Sequence, residues 1–420
     1  MTRSDTAVQG TERQRGDRLT SAFARLAWAN LSAQSAEQVG LAAAPIVAVL
    51  TLGAGPGGTG VLQTAQTLPF LLLSIPAGVL ADRVPRRRLM ATAEALRTVS
   101  LLTILGLVLA HVLNLPMLAL LGFAGACGTV TFMVTAPAVV PALVSQRSLP
   151  VANGRLELAR TTAFAAGPAL GGALVGRTGA ATAFGLAAAF SAVAVLLLAG
   201  MPEPERAARS AGHPLDDLRE GARFVFGHPL LRPIFVTQFV FNVAFFVLLA
   251  VFVPYAVRHL ALNATGVGIA LAAYGAGLVL GALTAARITR AVPFGAAIAI
   301  GPTAGLVAAL LMLLTIRVPA AALAALSLFL IGAGAVIWVV STTTLRQTVT
   351  PARLLARASA LNIMAYGSRP IGAGIGALVG GLFGVESALL VVAAGFLIQA
   401  LVIAASPVPR LVRQPEPAEG

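Results

Sequence analysis

The stretch Pro76-Ala-Gly-Val-Leu-Ala-Asp-Arg-Val-Pro-Arg-Arg-Arg88 closes one long apolar run and opens the next. Hydrocarbon-compatible residues stop at Ala81, and Asp82, Arg83, Arg86, Arg87 and Arg88 follow at once. A cationic cluster wedged between two apolar runs marks a short loop held at an anionic membrane surface. Gly78 and Ala81 are small enough to let a second helix come close at that depth. The bland alternative is a basic loop that sets orientation and has no further role.

Working outward, the whole chain repeats this alternation. Of its 420 residues 58% are hydrophobic and only 10% charged, with a mean hydropathy of +0.89. A soluble fold has no interior large enough to hide that much apolar surface, which points to a polytopic membrane protein in contact with a lipid bilayer. All 29 basic residues are arginine, for a net charge of +14. They punctuate apolar segments instead of gathering on one patch, so nucleic acid is not an expected partner. Cys127 is the single cysteine, which excludes an internal disulfide and a cysteine-based metal cluster. Thr2 to Arg18 is polar and arginine-containing, unlike a cleavable signal peptide.

Twelve apolar runs reach the about 20 residues that a crossing requires. They are continuous, without alternating polarity, so helices are expected and a barrel is not. The expected architecture is all-α: a tail over 1–20, a six-helix bundle over 21–201, a linker over 202–230, a second six-helix bundle over 231–408 and a tail over 409–420. With the N-terminus inside, inner segments hold 23 arginines and outer loops three (Arg177, Arg258 and Arg317). Arg97, Arg160 and Arg369 remain within helices. That asymmetry places both termini in the cytoplasm of a multi-pass protein of the cell membrane, expected as a monomer. The linker segment Leu215-Asp-Asp-Leu-Arg-Glu-Gly-Ala-Arg-Phe-Val-Phe226 puts Leu215, Leu218, Ala222 and Val225 on one helical face. It either lies on the membrane surface or forms a solvated helix.

The halves echo one another. Gly78-Val-Leu-Ala matches Gly281-Ala-Leu-Thr and Pro168 matches Pro370, at offsets of 203 and 202 residues. Near-equal offsets indicate a duplicated unit. The second copy has Ala285 and Ala286 where the first has Asp82 and Arg83, so any salt-bridge role belongs to the first half.

Carboxylates in hydrocarbon cost about 3 kcal/mol or more and mark functional sites. Glu37 lies mid-run, and Asn30, Gln34, Glu37 and Gln38 share a helical face, a polar stripe expected to line a central cavity. Burial favours the neutral form of a carboxyl group. Glu37 is therefore a candidate for proton exchange or for a cationic substrate; the alternative is a structural carboxylate bonded to neighbouring amides. Glu94 and Arg97 sit three apart, as do Glu157 and Arg160. Each pair either neutralises itself or takes part in a network that rearranges with Asp82. Arg369 is the only deeply placed charge of the second half, and Gln238, Asn242 and Tyr366 are candidate polar contacts.

The opening stretch resembles the loop between the second and third helices of the major facilitator superfamily, roughly G-x-L-A-D-R-x-G-R-R. Gly78, Leu80, Ala81, Asp82, Arg83, Arg86 and Arg87 match, while Pro85 replaces the second glycine. Gly167-Pro-Ala-Leu-Gly-Gly172 resembles the end of that superfamily's antiporter motif; Gly154 falls at an earlier glycine position and Ala163 replaces another. That motif accompanies exporters, the alternative being a small-residue packing seam. The family's fourth-helix arginine is missing, since none lies between Pro116 and Val144. With Leu149-Pro-Val-Ala-Asn-Gly-Arg and Tyr366-Gly-Ser-Arg-Pro-Ile-Gly-Ala, the order of features resembles the drug-exporter branch that includes macrolide-efflux and enterobactin-exporter proteins. The resemblance implies a secondary transporter, not an enzyme, with no cofactor and with protons as the driving partner of a small amphipathic substrate. Export of drugs or natural products, export of a siderophore, and an uncoupled facilitator or importer are the three alternatives.

Gly78, Asp82, Arg83, Arg86 and Arg87 are expected to form a cytoplasmic gate, Asp82 and Arg83 holding the cytoplasmic ends of the two halves together when the cavity faces outward. Asp82→Asn then abolishes transport or shifts the protein towards inward-facing states, without preventing insertion. Spectroscopic distances across the cytoplasmic side check it; an unchanged distribution together with an unchanged transport rate contradicts it.

Overall fold

A computed structural model describes residues 21–145, 148–203, 214–351, 354–355, 357–358, 361 and 365–415, without the side chains of 82, 150 and 214–218. The expected tails over 1–20 and 416–420, the Asp82 carboxylate and Arg147 therefore lie outside the described residues. Every described element is helical, as lipid demands of a chain whose backbone groups must all be satisfied internally. The first six helices are α1 (Ser21–Leu50), α2 (Pro56–Arg83), α3 (Arg86–Leu109), α4 (Leu115–Leu143), α5 (Leu149–Thr178) and α6 (Ala180–Ala199). The linker helix α7 spans Pro214–Gly227. Then come α8 (Leu231–Arg258), α9 (Ala264–Ala291), α10 (Phe294–Leu314), α11 (Ala321–Val349), α12 (Arg369–Leu382) and α13 (Val385–Ala404).

Ten of these helices are long and apolar enough to cross a membrane. The two expected spans that fail do so for different reasons. Helix α5 has 30 residues but carries Arg155, Glu157, Arg160 and Arg177. The run expected as one helix over 355–382 is broken by the 3₁₀ turn Ala365–Ser368, after which α12 has only 14 residues. Pro370 suits the restart, standing in the first turn of α12 where its missing backbone donor costs no helical bond.

Turn chemistry sets the other boundaries. Asn114 and Asn263 cap α4 and α9, each side chain accepting from a backbone N–H at 2.9 Å. Gly179 and Gly384, at φ 93° and 84°, make the single-residue reversals before α6 and α13. At the Arg86 end, arginines bond helix carbonyls. Arg86 Nη1 donates to Ala138 O of α4 at 2.7 Å, and Arg87 Nη1 to Ala199 O and Met201 O at 3.2 and 3.1 Å. The opening cluster thus ties itself to α4 and caps α6 as well as marking a surface.

Helices α1 to α6 pack chiefly on one another, as do α8 to α13. Two seams join the sets, α5 against α9 and α2 against α12. Both are built on glycine. A Cβ on Gly172 would stand 2.6 Å from Ala264 O, and one on Gly268 2.6 Å from Pro168 O. Gly275 meets the Ala165 backbone and Gly60 that of Ala377 as closely. Thr59 Oγ1 donates to Ala250 O at 2.8 Å, and Arg258 Nη2 to Ala54 O at 3.0 Å. These contacts cluster at the end of the molecule remote from Arg86–Arg88. Towards the arginine end of α5, Gly154 has nothing near its Cβ position. A Cβ on Gly78, expected as a close approach, would meet only Val134 Cγ1 at 3.9 Å, while one on Gly281, its sequence counterpart, would stand 2.6 Å from Ala333 O.

Of the expected apolar face of the linker helix, the side chains of Leu215 and Leu218 lie outside the described residues. Val225 is buried with Leu231, Ala358 and Leu361, and Ala222 packs beside them. Glu220 pairs with Arg357, and Gly221 lies against the Arg357 carbonyl. This part of the face is covered by the chain itself.

Overpacking a tight contact costs about 1–3 kcal/mol or more. Gly172→Leu is therefore expected to lower the unfolding midpoint in detergent, whereas Gly154→Leu, facing open space, leaves it unchanged; thermal unfolding of the two purified variants checks the contrast.

Candidate functional site

The buried charges form one cluster in the N-terminal helices. Gly128 of α4 admits the Ala93 carbonyl of α3 at close range, which brings Thr129 against Arg97. Both Glu94 oxygens hold the Arg97 guanidinium, Nε donating to Oε2 at 3.2 Å and Nη2 to Oε1. Arg97 Nη1 donates to Thr129 Oγ1 at 3.0 Å, and Ser191 Oγ of α6 donates to Glu94 Oε2 at 2.9 Å. Glu94 is 0% exposed and Arg97 4%. Glu37 of α1 then approaches the same guanidinium, its Oε2 3.7 Å from Nη1. The Glu94–Arg97 pair is neutral by itself, so Glu37 brings the unmatched charge.

The rest of the polar stripe, expected to line a central cavity, is buried. Asn30, Gln34 and Gln38 are buried beside Glu37. Asn30 Nδ2 donates to Leu156 O of α5 at 3.2 Å, and Gln38 lies beneath Gly167. Helix α5 covers the stripe because Gly167 and Gly171 let it come down on α1, where a Cβ on Gly171 would stand 2.9 Å from Val39 O. Of the antiporter-motif residues, Gly167, Gly171, Gly172 and Pro168 thus form packing surfaces on two sides of α5, and Gly154 does not.

Glu157 and Arg160 pair at 2.9 Å through Nε, and Glu157 is 59% exposed. Arg160 also stands over the Phe164 ring, 5.3 Å from its centroid. Arg369 sits among three rings instead of carboxylates, 4.7 Å from the Phe70 centroid, 5.2 Å from Phe246 and 4.5 Å from Tyr366. Its Nε donates to Asn242 Oδ1 at 3.4 Å. Gln238 belongs elsewhere: its Oε1 accepts from Trp338 Nε1 at 3.0 Å, and it lines a cavity of about 40 Å³ with Thr237, Pro302 and Gln399, among helices α8, α10, α11 and α13. Among the described residues no group of three His, Cys, Asp or Glu side chains gathers to hold a metal.

Thr129, Ser191, Phe70 and Phe246 join these sites without any sequence signal. Hydroxyls and rings are common in apolar helices, and only the packing tells which of them face a charge.

A family model described as transmembrane secretion effector matches residues 20–418. The chain belongs to this family, within the major facilitator superfamily. Among curated relatives of this secretion-effector chain, the multidrug efflux pump Tap of Mycobacterium tuberculosis is 29% identical over 217 residues, 49% of this chain and 51% of that protein. The enterobactin exporter EntS of Escherichia coli is 28% identical over 222 residues, 51% of each. The matches span about half the length of these relatives. Solved transporters share the fold at low identity. A bacterial homologue of the lysosomal transporter Spinster, inward-facing and unoccupied, gives a TM-score of 0.69 at 14% identity, over 94% of this chain and 98% of that one. An inward-facing bacterial homologue of the iron transporter ferroportin gives 0.71 at 16%, over 92% and 99%.

Removing one member of a buried ion pair leaves the other charge uncompensated, at about 3–5 kcal/mol. Arg97→Met is expected to destabilise the protein by that order, and Glu37→Gln by far less, because Arg97 keeps both Glu94 oxygens. Unfolding midpoints of the two variants in the same detergent check the ranking.

Proposed function

We propose that this secretion-effector chain is a secondary active exporter of amphipathic small molecules, driven by proton antiport and working by alternating access. The reading includes twelve crossings in two six-helix bundles, 21–201 and 231–408, with both termini in the cytoplasm. The names of the matched relatives, a multidrug efflux pump and an enterobactin exporter, support export of small molecules. One observation carries the coupling claim: Glu37 lies 3.7 Å from a guanidinium that Glu94 already neutralises. A second carboxylate at an engaged cation, mostly removed from water, is the group in the cluster whose charge is least compensated. Its protonation leaves a neutral site, its ionisation a net negative one. Movement of α1 against α3 alters its distance from Arg97 and hence its hold on the proton.

Asp82 and Arg83 act in this reading as the cytoplasmic gate. The Gly167–Gly172 segment is the surface on which α5 moves against α1 and α9. Both seams hold their glycine contacts at the end remote from Arg86–Arg88, which fits a cavity opening at the cytoplasmic side. A siderophore exporter of the same mechanism is the second reading, favoured by the enterobactin exporter among the relatives.

In proteoliposomes Glu37→Gln keeps shape and hydrogen bonding while fixing the neutral state. Transport driven by an imposed proton gradient is expected to fall to background, with binding of neutral substrates retained. Persisting concentrative transport would move the coupling site to Glu94 or Glu157.

A further inference from the structure

Arg369 stands apart from the other charges within helices. Arg97 has Glu94 and Glu37, and Arg160 has Glu157. Among the described residues no carboxylate pairs with Arg369, and its single hydrogen bond, from Nε to Asn242, is a long one. A helix-embedded cation with no carboxylate paired to it among the described residues is costly, and such groups mark functional sites.

The geometry says which of its surfaces are taken. A guanidinium is a plane with two faces and an edge of five N–H donors. Phe70 of α2, Phe246 of α8 and Tyr366 of the 3₁₀ turn present their rings to it. Rings offer a cation their π-electrons, which lowers the cost of burial without matching the fork of donors. Nη1 and Nη2 donate to no described residue. Those donors are the pair that a planar oxyanion accepts in bidentate fashion.

What surrounds the fork is aromatic. Ring contacts run from Phe246 to Phe245 at 5.8 Å, from Phe245 to Tyr274 at 5.0 Å, and from Tyr274 to Phe164 at 6.5 Å. The run ends beneath Arg160, on Phe164. One wall therefore joins α8, α9 and α5 and has an arginine at each end, the Arg160 end already neutralised. An aromatic body laid on that wall would find its one unsatisfied charge at Arg369.

We propose that Arg369 is an anion-holding subsite of the transport pathway, which takes a carboxylate or similar planar oxyanion carried on an aromatic body. The proposal rests on the exporter reading in treating this wall as part of the substrate path. The opposing view is that Arg369 merely ties α12 to α2 and α8 through its rings.

The test is equilibrium dialysis of 2-naphthoate and its neutral isostere 2-naphthamide against the full chain in nanodiscs at pH 7, with empty nanodiscs subtracted. No proton gradient is applied, so failure of coupling at Glu37 leaves the result untouched. Wild type is expected to hold naphthoate at least about tenfold tighter than naphthamide, the size of a charge-assisted pair. Arg369→Gln brings that ratio to about one while keeping naphthamide affinity. Arg369→Lys, which keeps the charge and loses the fork, falls between. The wild-type ratio needs no variant to fold. Equal binding of the two probes to wild type, or no binding of either, overturns the proposal. So does a naphthoate preference that survives in Arg369→Gln.

Discussion

Close approach of backbone to backbone is what assembles this protein. Lipid tails are as apolar as leucine, so burial of side chains does not by itself draw one helix to another, and packing and hydrogen bonding must do so. The chain meets this with glycine at the contacts that matter. Gly172 and Gly268 face each other across α5 and α9, while Gly60 meets Ala377 across α2 and α12. Gly277 and Gly332 lock α9 to α11. Where side chains stand at a helix interface, the gap widens and mobility becomes possible. Both seams between the two sets of helices are tight at the end remote from Arg86–Arg88.

The same close packing dictates where charge is tolerated. Gly128 lets α4 settle on α3, and Thr129 and Ser191 then complete the shell around Glu94 and Arg97. That pair is buried, neutral and fully bonded. Two further charges are of opposite sign and stand on different helices. Glu37 stands among the N-terminal helices, and Arg369 stands where the C-terminal helices meet Phe70. Each is held by contacts that differ in kind, the Arg97 guanidinium for one and aromatic rings for the other.

At the arginine-rich end, charge does structural work. Arg87 and Arg25 take up carbonyls at the end of α6, which would otherwise be left unsatisfied, while Arg86 bonds Ala138 O within α4. The linker helix uses Glu220 in the same way, fixing itself to Arg357 while its apolar side covers Leu361. A loop that looks topogenic in sequence is therefore also a set of caps.

The sequence alone determined that this is a membrane protein of many helices, because hydrocarbon admits long apolar runs and little else, and because arginine placement is written directly in the chain. It also placed the Glu94–Arg97 and Glu157–Arg160 pairs, since three residues on one helix fix a neighbour, and the family, since Asp82–Arg87 and Gly167–Gly172 are contiguous motifs. Only the tertiary structure decided that Glu37 meets Arg97, that α5 buries Asn30 and Gln38, that Gln238 turns to Trp338, and that Phe70, Phe246 and Tyr366 surround Arg369. Each of these joins helices far apart in sequence. A helical period says which face a residue occupies; which helix comes to lie against that face depends on where small residues let backbones touch.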